Sequence, residues 1–168
     1  MDTIQNKVAD SGLVTIDPAE FYTSGKRMTF DLKPLLFEEL LLREKDLRDF
    51  IKVHDWTQYS DALVAVYCSS DAIIPVWAYM LIASAMQPYA KMIHFGTPDA
   101  LEEQLFDNAL KNFDVTAYNG KRIVVKGCGD IPVPVSVYMR LTTLLQPVVK
   151  SILYGEPCST VPVYKLKG

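Results

Sequence analysis

The chain has 168 residues, of which 49% are hydrophobic and 22% are charged, which is enough apolar sequence for one substantial core. Its formal net charge is −3 and its basic residues are dispersed, so it lacks the basic face that nucleic-acid binding requires. The longest apolar run, 72–86, has 15 residues, fewer than the roughly 20 that cross a membrane. We therefore expect neither nucleic acid nor membrane as a partner.

The cysteine count and the start of the chain indicate a cytoplasmic protein. Residues 1–12 contain no apolar stretch of the kind found in secretory signals,. Three cysteines are an odd number, which argues against a disulfide framework,. We expect the thiols to be free or bound to metal in a reducing compartment.

Strands and helices are predicted to alternate along most of the chain. Two strands come first, at 13–16 and 28–32,. Two series of helix, strand, helix and strand then follow, at 37–53, 63–67, 75–86 and 91–95, and again at 99–113, 122–126, 134–145 and 150–154,. A last strand is expected at 161–165, on a sheet edge, because Pro162 cannot donate a ladder hydrogen bond,.

The two series correspond to an internal duplication. Shifting the chain by 59 positions against itself gives 16 identities over the 47 positions that begin at Lys52. We interpret residues 37–96 and 97–155 as two repeats of about 59 residues. Alternating strands and helices favour parallel pairing with right-handed crossovers. The prediction is a single layered α/β domain over residues 1–168, with a mostly parallel sheet.

All three cysteines are predicted to follow parallel strands. Cys68 comes directly after the strand at 63–67, Cys128 lies in the equivalent loop of the second repeat, and Cys158 comes after the last core strand. Open α/β sheets bind ligands at the carboxyl ends of their strands. Because thiolates are soft ligands, the three cysteines predict a site for zinc, iron or an iron–sulfur cluster at this edge. Six further residues beside them are candidates for cofactor binding: Ser69, Ser70, Asp71, Gly127, Gly129 and Asp130.

Simpler interpretations compete with this site. Cysteine is often a buried packing residue, and the spacing is not that of paired Cys-x-x-Cys ligands,. Asp71 and Asp130 also suit Asx turns. The tyrosine–methionine pairs at 79–80 and 138–139 are expected in the core, and both histidines in structural roles. The sequence has none of the nucleotide-binding or hydrolase motifs GxGxxG, P-loop, GxSxG or HExxH,, and no catalytic residue is assigned.

Several segments together resemble a family of small bacterial proteins, domain of unknown function 2480. The resemblance covers nearly the whole chain and is carried by SGLVTID, HDWTQY, CSSDAIIPVWAYML, QPYAK, KGC, PVP and GEPCSTVPVYK. The family name implies no activity. Because genes of such proteins often lie near iron–sulfur assembly genes, the resemblance implies iron–sulfur assembly proteins as partners.

Three functions remain open at this point. The first is a metal- or sulfur-handling accessory factor linked to iron–sulfur cluster metabolism, which alone gives Cys68, Cys128 and Cys158 a common role. The second is a thiol enzyme that binds a small molecule or anion, with Cys128 as its nucleophile. The third is a non-catalytic, homo-oligomeric interaction protein.

Overall fold

The structure is a computed structural model that describes residues 12–127, 129–156 and 158–168. The strands are β1 (Leu13–Ile16), β2 (Lys26–Asp31), β3 (Ala62–Tyr67), β4 (Met92–Phe95), β5 (Arg122–Val125), β6 (Ser151–Glu156) and β7 (Ser159–Lys165). The α-helices are α1 (Glu44–Val53), α2 (Val76–Met86), α3 (Pro98–Leu110) and α4 (Val135–Leu145). Within the described ranges, no helix combines the length and apolar character needed to cross a bilayer.

The strands form two sheets, in the orders β1-β5-β6-β7 and β2-β3-β4. All pairings are parallel except that of β6 with β7, which is antiparallel. The α/β class and the parallel pairing are thus confirmed, and β7 lies at an edge as predicted from Pro162. The sequence predicted one sheet, whereas the N-terminal strands separate, because β1 pairs with β5 and β2 pairs with β3.

Contacts within the chain define two compact units. Unit 1 contains residues 12–23 and 105–168 of the described chain, and unit 2 contains residues 24–104. The first sheet belongs to unit 1 and the second to unit 2. The boundaries of the units differ from those of the predicted repeats, because each unit includes one of the two N-terminal strands.

The core of unit 2 lies between its sheet and helices α1 and α2. Leu32, Leu47, Ile82 and Met86 are fully buried there. Every residue of β3 from Ala62 to Val66 is buried, as expected for a parallel strand covered on both faces. The central strand of this sheet is therefore shielded from solvent on both faces.

The core of unit 1 follows the same plan. Helix α4 buries Val137, Leu141 and Leu145, which lie four residues apart on one helix face,. These side chains pack with Ile123 and Ile152 from the central strands β5 and β6. Helical spacing thus determines which face of α4 covers the sheet.

Two predictions about helices are wrong. The helix predicted at 37–53 begins only at Glu44: Glu38 and Glu39 have positive φ angles of 50° and 60°, and Phe37 pairs with Leu41 in a tight turn. Left-handed residues cannot continue a right-handed helix.

The second error concerns the methionines expected in the core. Met80 and Met139 are each 67% exposed. In α2 the buried residues are Ala78, Ile82 and Met86, and in α4 they are the equivalent residues. Each methionine lies two positions from a buried residue and therefore on another face of its helix.

Several features recur 59 residues apart. Asp55 and Asp114 each begin a short 3₁₀ helix by accepting a hydrogen bond from the backbone N–H two residues later. Helices α2 and α4 begin and end 59 residues apart, after Pro75 and Pro134. These pairs agree with an internal duplication, which itself stays a prediction.

Candidate ligand-binding cleft

A cleft opens at the carboxyl ends of the parallel strands of unit 1. Asp17 follows β1, Lys126 follows β5, and Tyr154 on β6 lies in register with Val125. Parallel strands place these positions at one sheet edge, where α/β proteins commonly bind ligands. The cleft has a volume of about 450 Å³, and its walls include Asp17, Lys126, Gly127, Gly129, Tyr138 and Tyr154.

An ion pair lies in the wall of this cleft. The Lys126 ammonium donates to Asp17 Oδ2 at 3.2 Å, and the two side chains are 35% and 30% exposed. Asp17 Oδ1 accepts from the N–H of Ala19 at 3.0 Å, which begins the 3₁₀ helix Pro18–Phe21. The same carboxylate therefore terminates β1 and orients the lysine.

The local hydrogen bonds keep both groups ionised. The N–H of Ala19 lowers the pKa of Asp17, against the opposing effect of burial, and Lys126 lowers it further. The pKa of Lys126 is raised, first by its hydrogen bond to Asp17 and then by that charge, and in smaller measure by Glu156 and Asp130. Neighbouring carboxylates, above all Asp17, thus favour the charged form of Lys126.

Gly127 allows Tyr154 to lie close against the loop after β5. A Cβ atom at Gly127 would lie 2.6 Å from both Cζ and the hydroxyl oxygen of Tyr154, closer than side chains tolerate. At Gly129 the same construction meets nothing within 4 Å. The first glycine thus lets the Tyr154 ring pack against the loop, whereas the second leaves open space beside the backbone.

A second, apolar hollow adjoins the cleft. Its volume is about 340 Å³, and its walls include Met139, Leu153 and Val163 together with Tyr138 and Tyr154. The two tyrosine rings meet edge to face, with centroids 5.8 Å apart and planes at 77°. Because both tyrosines also line the polar cleft, the two hollows share a wall.

The structure divides the predicted cofactor-binding residues between the units. Gly127 and Gly129 line the cleft of unit 1, and the charge of Asp130 acts on Lys126 there. Their counterparts in unit 2 have local partners. Ser69 donates through its N–H and hydroxyl to Asp31, at 2.9 and 2.5 Å.

The other two predicted residues, Ser70 and Asp71, lie in the same unit 2 loop. Ser70 Oγ is 3.5 Å from the carbonyl oxygen of Glu39, at the outer limit of a hydrogen bond. Asp71 is exposed.

The predicted metal ligands do not share one sheet edge. Cys68 follows β3 of unit 2, where it is half-buried against the core, and Cys158 is exposed in the hairpin between β6 and β7 of unit 1. Cys128 lies outside the described residues. In the part of the chain that the structure describes, no three His, Cys, Asp or Glu side chains are grouped to hold a metal ion. The three-thiol site stays a prediction.

Sequence reasoning missed the two aspartates that end the N-terminal strands. Asp31 follows the plan of Asp17: it accepts from the N–H of Lys33, two residues later, at 3.0 Å. Burial raises the pKa of Asp31, but hydrogen bonds from Ser69 and Lys33 outweigh that effect and lower it. The available signal was the tripeptide Thr-x-Asp, which occurs at both 15–17 and 29–31.

Fold and cleft define an α/β protein with two mostly parallel sheets and a polar cleft at the carboxyl edge of one of them. The chain belongs to the family described as Protein of unknown function (DUF2480), which matches residues 2–166. The family resemblance of the sequence is thereby confirmed. No curated protein and no solved structure matches the chain.

Proposed function

We propose that the protein binds a small, neutral, polar organic molecule in the cleft of unit 1. The observation that carries this proposal is the Asp17–Lys126 ion pair in the wall of a hollow of about 450 Å³. Small-molecule sites typically have volumes of roughly 300–1,000 Å³ and a few convergent polar groups among apolar ones. Their usual place in α/β sheets is the carboxyl edge of the strands.

The ion pair offers a donor and an acceptor side by side. An ammonium has three N–H donors, so Lys126 can hold Asp17 and also donate to a ligand. A carboxylate oxygen accepts more than one hydrogen bond, so Asp17 can accept from a ligand N–H or O–H. An amide or hydroxyl group matches this pair, because it donates and accepts without adding charge.

The charges around the pair select against ionised ligands. Asp17 already neutralises Lys126, and the carboxylates of Asp130 and Glu156 also act on the lysine. An anion would be repelled by this acidic surplus, and a cation would have to displace the Lys126 ammonium from Asp17,. A neutral group avoids both costs.

The open loop after β5 leaves space for the ligand. Gly129 borders the cleft with no heavy atom within 4 Å of its Cβ position. Small residues at a binding loop let a ligand approach the backbone closely. The segment 131–133, which leads into α4, supplies the apolar part of the wall.

The experiment is a titration of the ¹⁵N-labelled protein with butanamide, butyrate and butylamine, followed by NMR. We expect butanamide to shift the amide signals of Gly127 and Gly129 at the lowest concentration of the three. Lys126→Met should weaken butanamide binding about tenfold through loss of a charge-assisted hydrogen bond. Lys121→Met is the matched control, because Lys121 is an exposed lysine of the same unit.

Two results would overturn the proposal. One is the absence of shifts at the cleft with all three probes. The other is tighter binding of butyrate than of butanamide, which would instead favour the anionic ligand that the sequence suggested. If Lys126→Met and Lys121→Met weakened butanamide binding equally, the ion pair would not be part of the binding site.

The roles expected from the thiols stay predictions beside this proposal. A metal- or sulfur-handling factor needs Cys68, Cys128 and Cys158 to act together. A thiol enzyme needs Cys128, which lies between Gly127 and Gly129 in the sequence. Association with iron–sulfur assembly proteins or with a second copy likewise remains open to experiment.

A further inference from the structure

We infer that the ligand is an amphiphile, with its polar head at the Asp17–Lys126 pair and an aliphatic tail in the adjoining hollow. This inference rests on the proposed function and adds the class of ligand. It follows from three observations: the apolar character of the second hollow, the wall that it shares with the cleft, and the contrast with unit 2.

The second hollow presents apolar surface to solvent. Met139 on α4 is 67% exposed, and Val163 on β7 is 50% exposed. Leu153 on β6 completes the floor between them. Removing such surface from water is favourable by about 25 cal/mol per Å², and an open chain of methylene groups has the shape to fill a trough of this kind.

The shared wall connects this apolar surface to the polar cleft. The Tyr154 hydroxyl oxygen lies beside Gly127, 2.6 Å from its Cβ position, on the side of the cleft. The Tyr154 ring also lines the apolar hollow. Tyrosine has an apolar ring and a polar hydroxyl group. A ligand that lies along the Tyr154 side chain therefore has one end in a polar environment and the other in an apolar one. One ligand with a head and a tail therefore fits both hollows.

Unit 2 repeats the apolar part of this arrangement without the polar part. Met80 is 67% exposed, as Met139 is, and Tyr79 meets Phe95 edge to face at 5.0 Å. Phe95 has no hydroxyl, however, and Tyr67 occupies the position beside Asp31 that Lys126 occupies beside Asp17. The head contacts thus belong to unit 1 alone, which makes Met80 a matched control for Met139.

The test compares butanamide, hexanamide and octanamide by calorimetry on the full chain. A fully buried methylene contributes about fourfold in affinity. Because the hollow is open on one side, we expect about twofold for each methylene, or about 16-fold from butanamide to octanamide. Met139→Glu should abolish this dependence on length, whereas Met80→Glu should leave it unchanged.

The outcomes separate this inference from the proposed function. Equal affinity for all three amides overturns the tail site but leaves the polar cleft intact. Octanamide binding that responds to Met139→Glu but not to Lys126→Met overturns the proposed head site. Sedimentation of the ligand-free protein tests a second copy as the occupant: a dimer that Met139→Glu dissociates would overturn the inference.

Discussion

Replacement of Gly127 by alanine tests the closest packing in the cleft. The added Cβ would lie 2.6 Å from Cζ and from the hydroxyl oxygen of Tyr154, and 3.0 Å from Cε2. The φ angle of Gly127 lies outside the left-handed region, so alanine causes no backbone strain. The tyrosine ring is the end of a flexible side chain and is 41% exposed, so the ring should move away from the loop.

The expected energy change combines two opposing contributions. Displacement of the ring costs its edge-to-face contact with Tyr138, which is about 0.5–1.5 kcal/mol. Alanine restricts the unfolded chain and stabilises the fold by about 0.4–1 kcal/mol. Gly127→Ala should therefore change the free energy of unfolding by an amount between about 0.5 kcal/mol stabilising and about 1 kcal/mol destabilising. In a Tyr154→Ala background the same change should stabilise the protein, so the coupling energy should be about 0.5–1.5 kcal/mol.

Urea denaturation of the single and double variants measures this coupling. Gly129→Ala is the matched control, because no described residue beyond its chain neighbours lies within 4 Å of its Cβ position. It should be neutral or slightly stabilising in both backgrounds. The reasoning is refuted if Gly127→Ala and Gly129→Ala behave alike and neither responds to the loss of Tyr154.

Three further predictions address the core, the second aspartate and the thiols. Leu141→Ala should destabilise the protein by about 2–5 kcal/mol, because Leu141 is fully buried. Met139→Ala should change the stability measured by thermal unfolding by less than about 0.5 kcal/mol. Similar losses of stability in the two variants would contradict the helix face assigned to α4. Asp31→Asn should cost about 1 kcal/mol at neutral pH. Because the pKa of Asp31 is lowered in the fold, its contribution is present above about pH 4 and is lost as the pH falls through the lowered value. The difference between wild type and variant should therefore shrink in acid, and a difference independent of pH would count against the Ser69 contact. If the three thiols bind metal, protein purified without oxygen should contain stoichiometric metal. A triple variant with Cys68, Cys128 and Cys158 replaced by Ser should lack this metal. Equal metal content in the two proteins would contradict the metal hypothesis.

Local sequence signals predicted most elements of the fold but not how the strands divide between sheets. The 59-residue offset located helices α2 and α4 because Pro75 and Pro134 mark their starts,. Pairing of β1 with β5 rather than with β2 joins residues 109 positions apart, such as Leu13 and Arg122, and no single position in the sequence indicates it. The turn at 37–41 was missed because Phe37, Leu40 and Leu41 have helical spacing, while the positive φ angles of Glu38 and Glu39 have no signal of the kind that glycine provides,.

The sequence predicted residues at the sheet edge where the cleft lies, but not the ion pair in the cleft wall. The sequence placed Gly127, Gly129 and Asp130 at a carboxyl sheet edge, and the structure places the cleft there. Emphasis on cysteine obscured Asp17 and Lys126, which lie 109 residues apart and become neighbours only through the pairing of β1 with β5. Pattern analysis of one sequence detects residues that are close along the chain, and this ion pair is not close.

Strands β1 and β5 are neighbours in the sheet but far apart in the sequence, and this distance affects how the protein folds during synthesis on the ribosome. The three strands of unit 2 are complete by Phe95, so their sheet can pair while later residues are still being added. Strand β1 is made before the strands of unit 2 but stays unpaired until β5 is made, because Leu13 pairs with Arg122. A nascent chain in this interval carries an apolar strand without its neighbours, which is the type of segment that chaperones bind and that aggregates at high concentration. A rearranged chain in which residues 12–23 follow residue 104 would shorten this wait, and the yield of folded protein from cell-free translation would measure the effect of the native order.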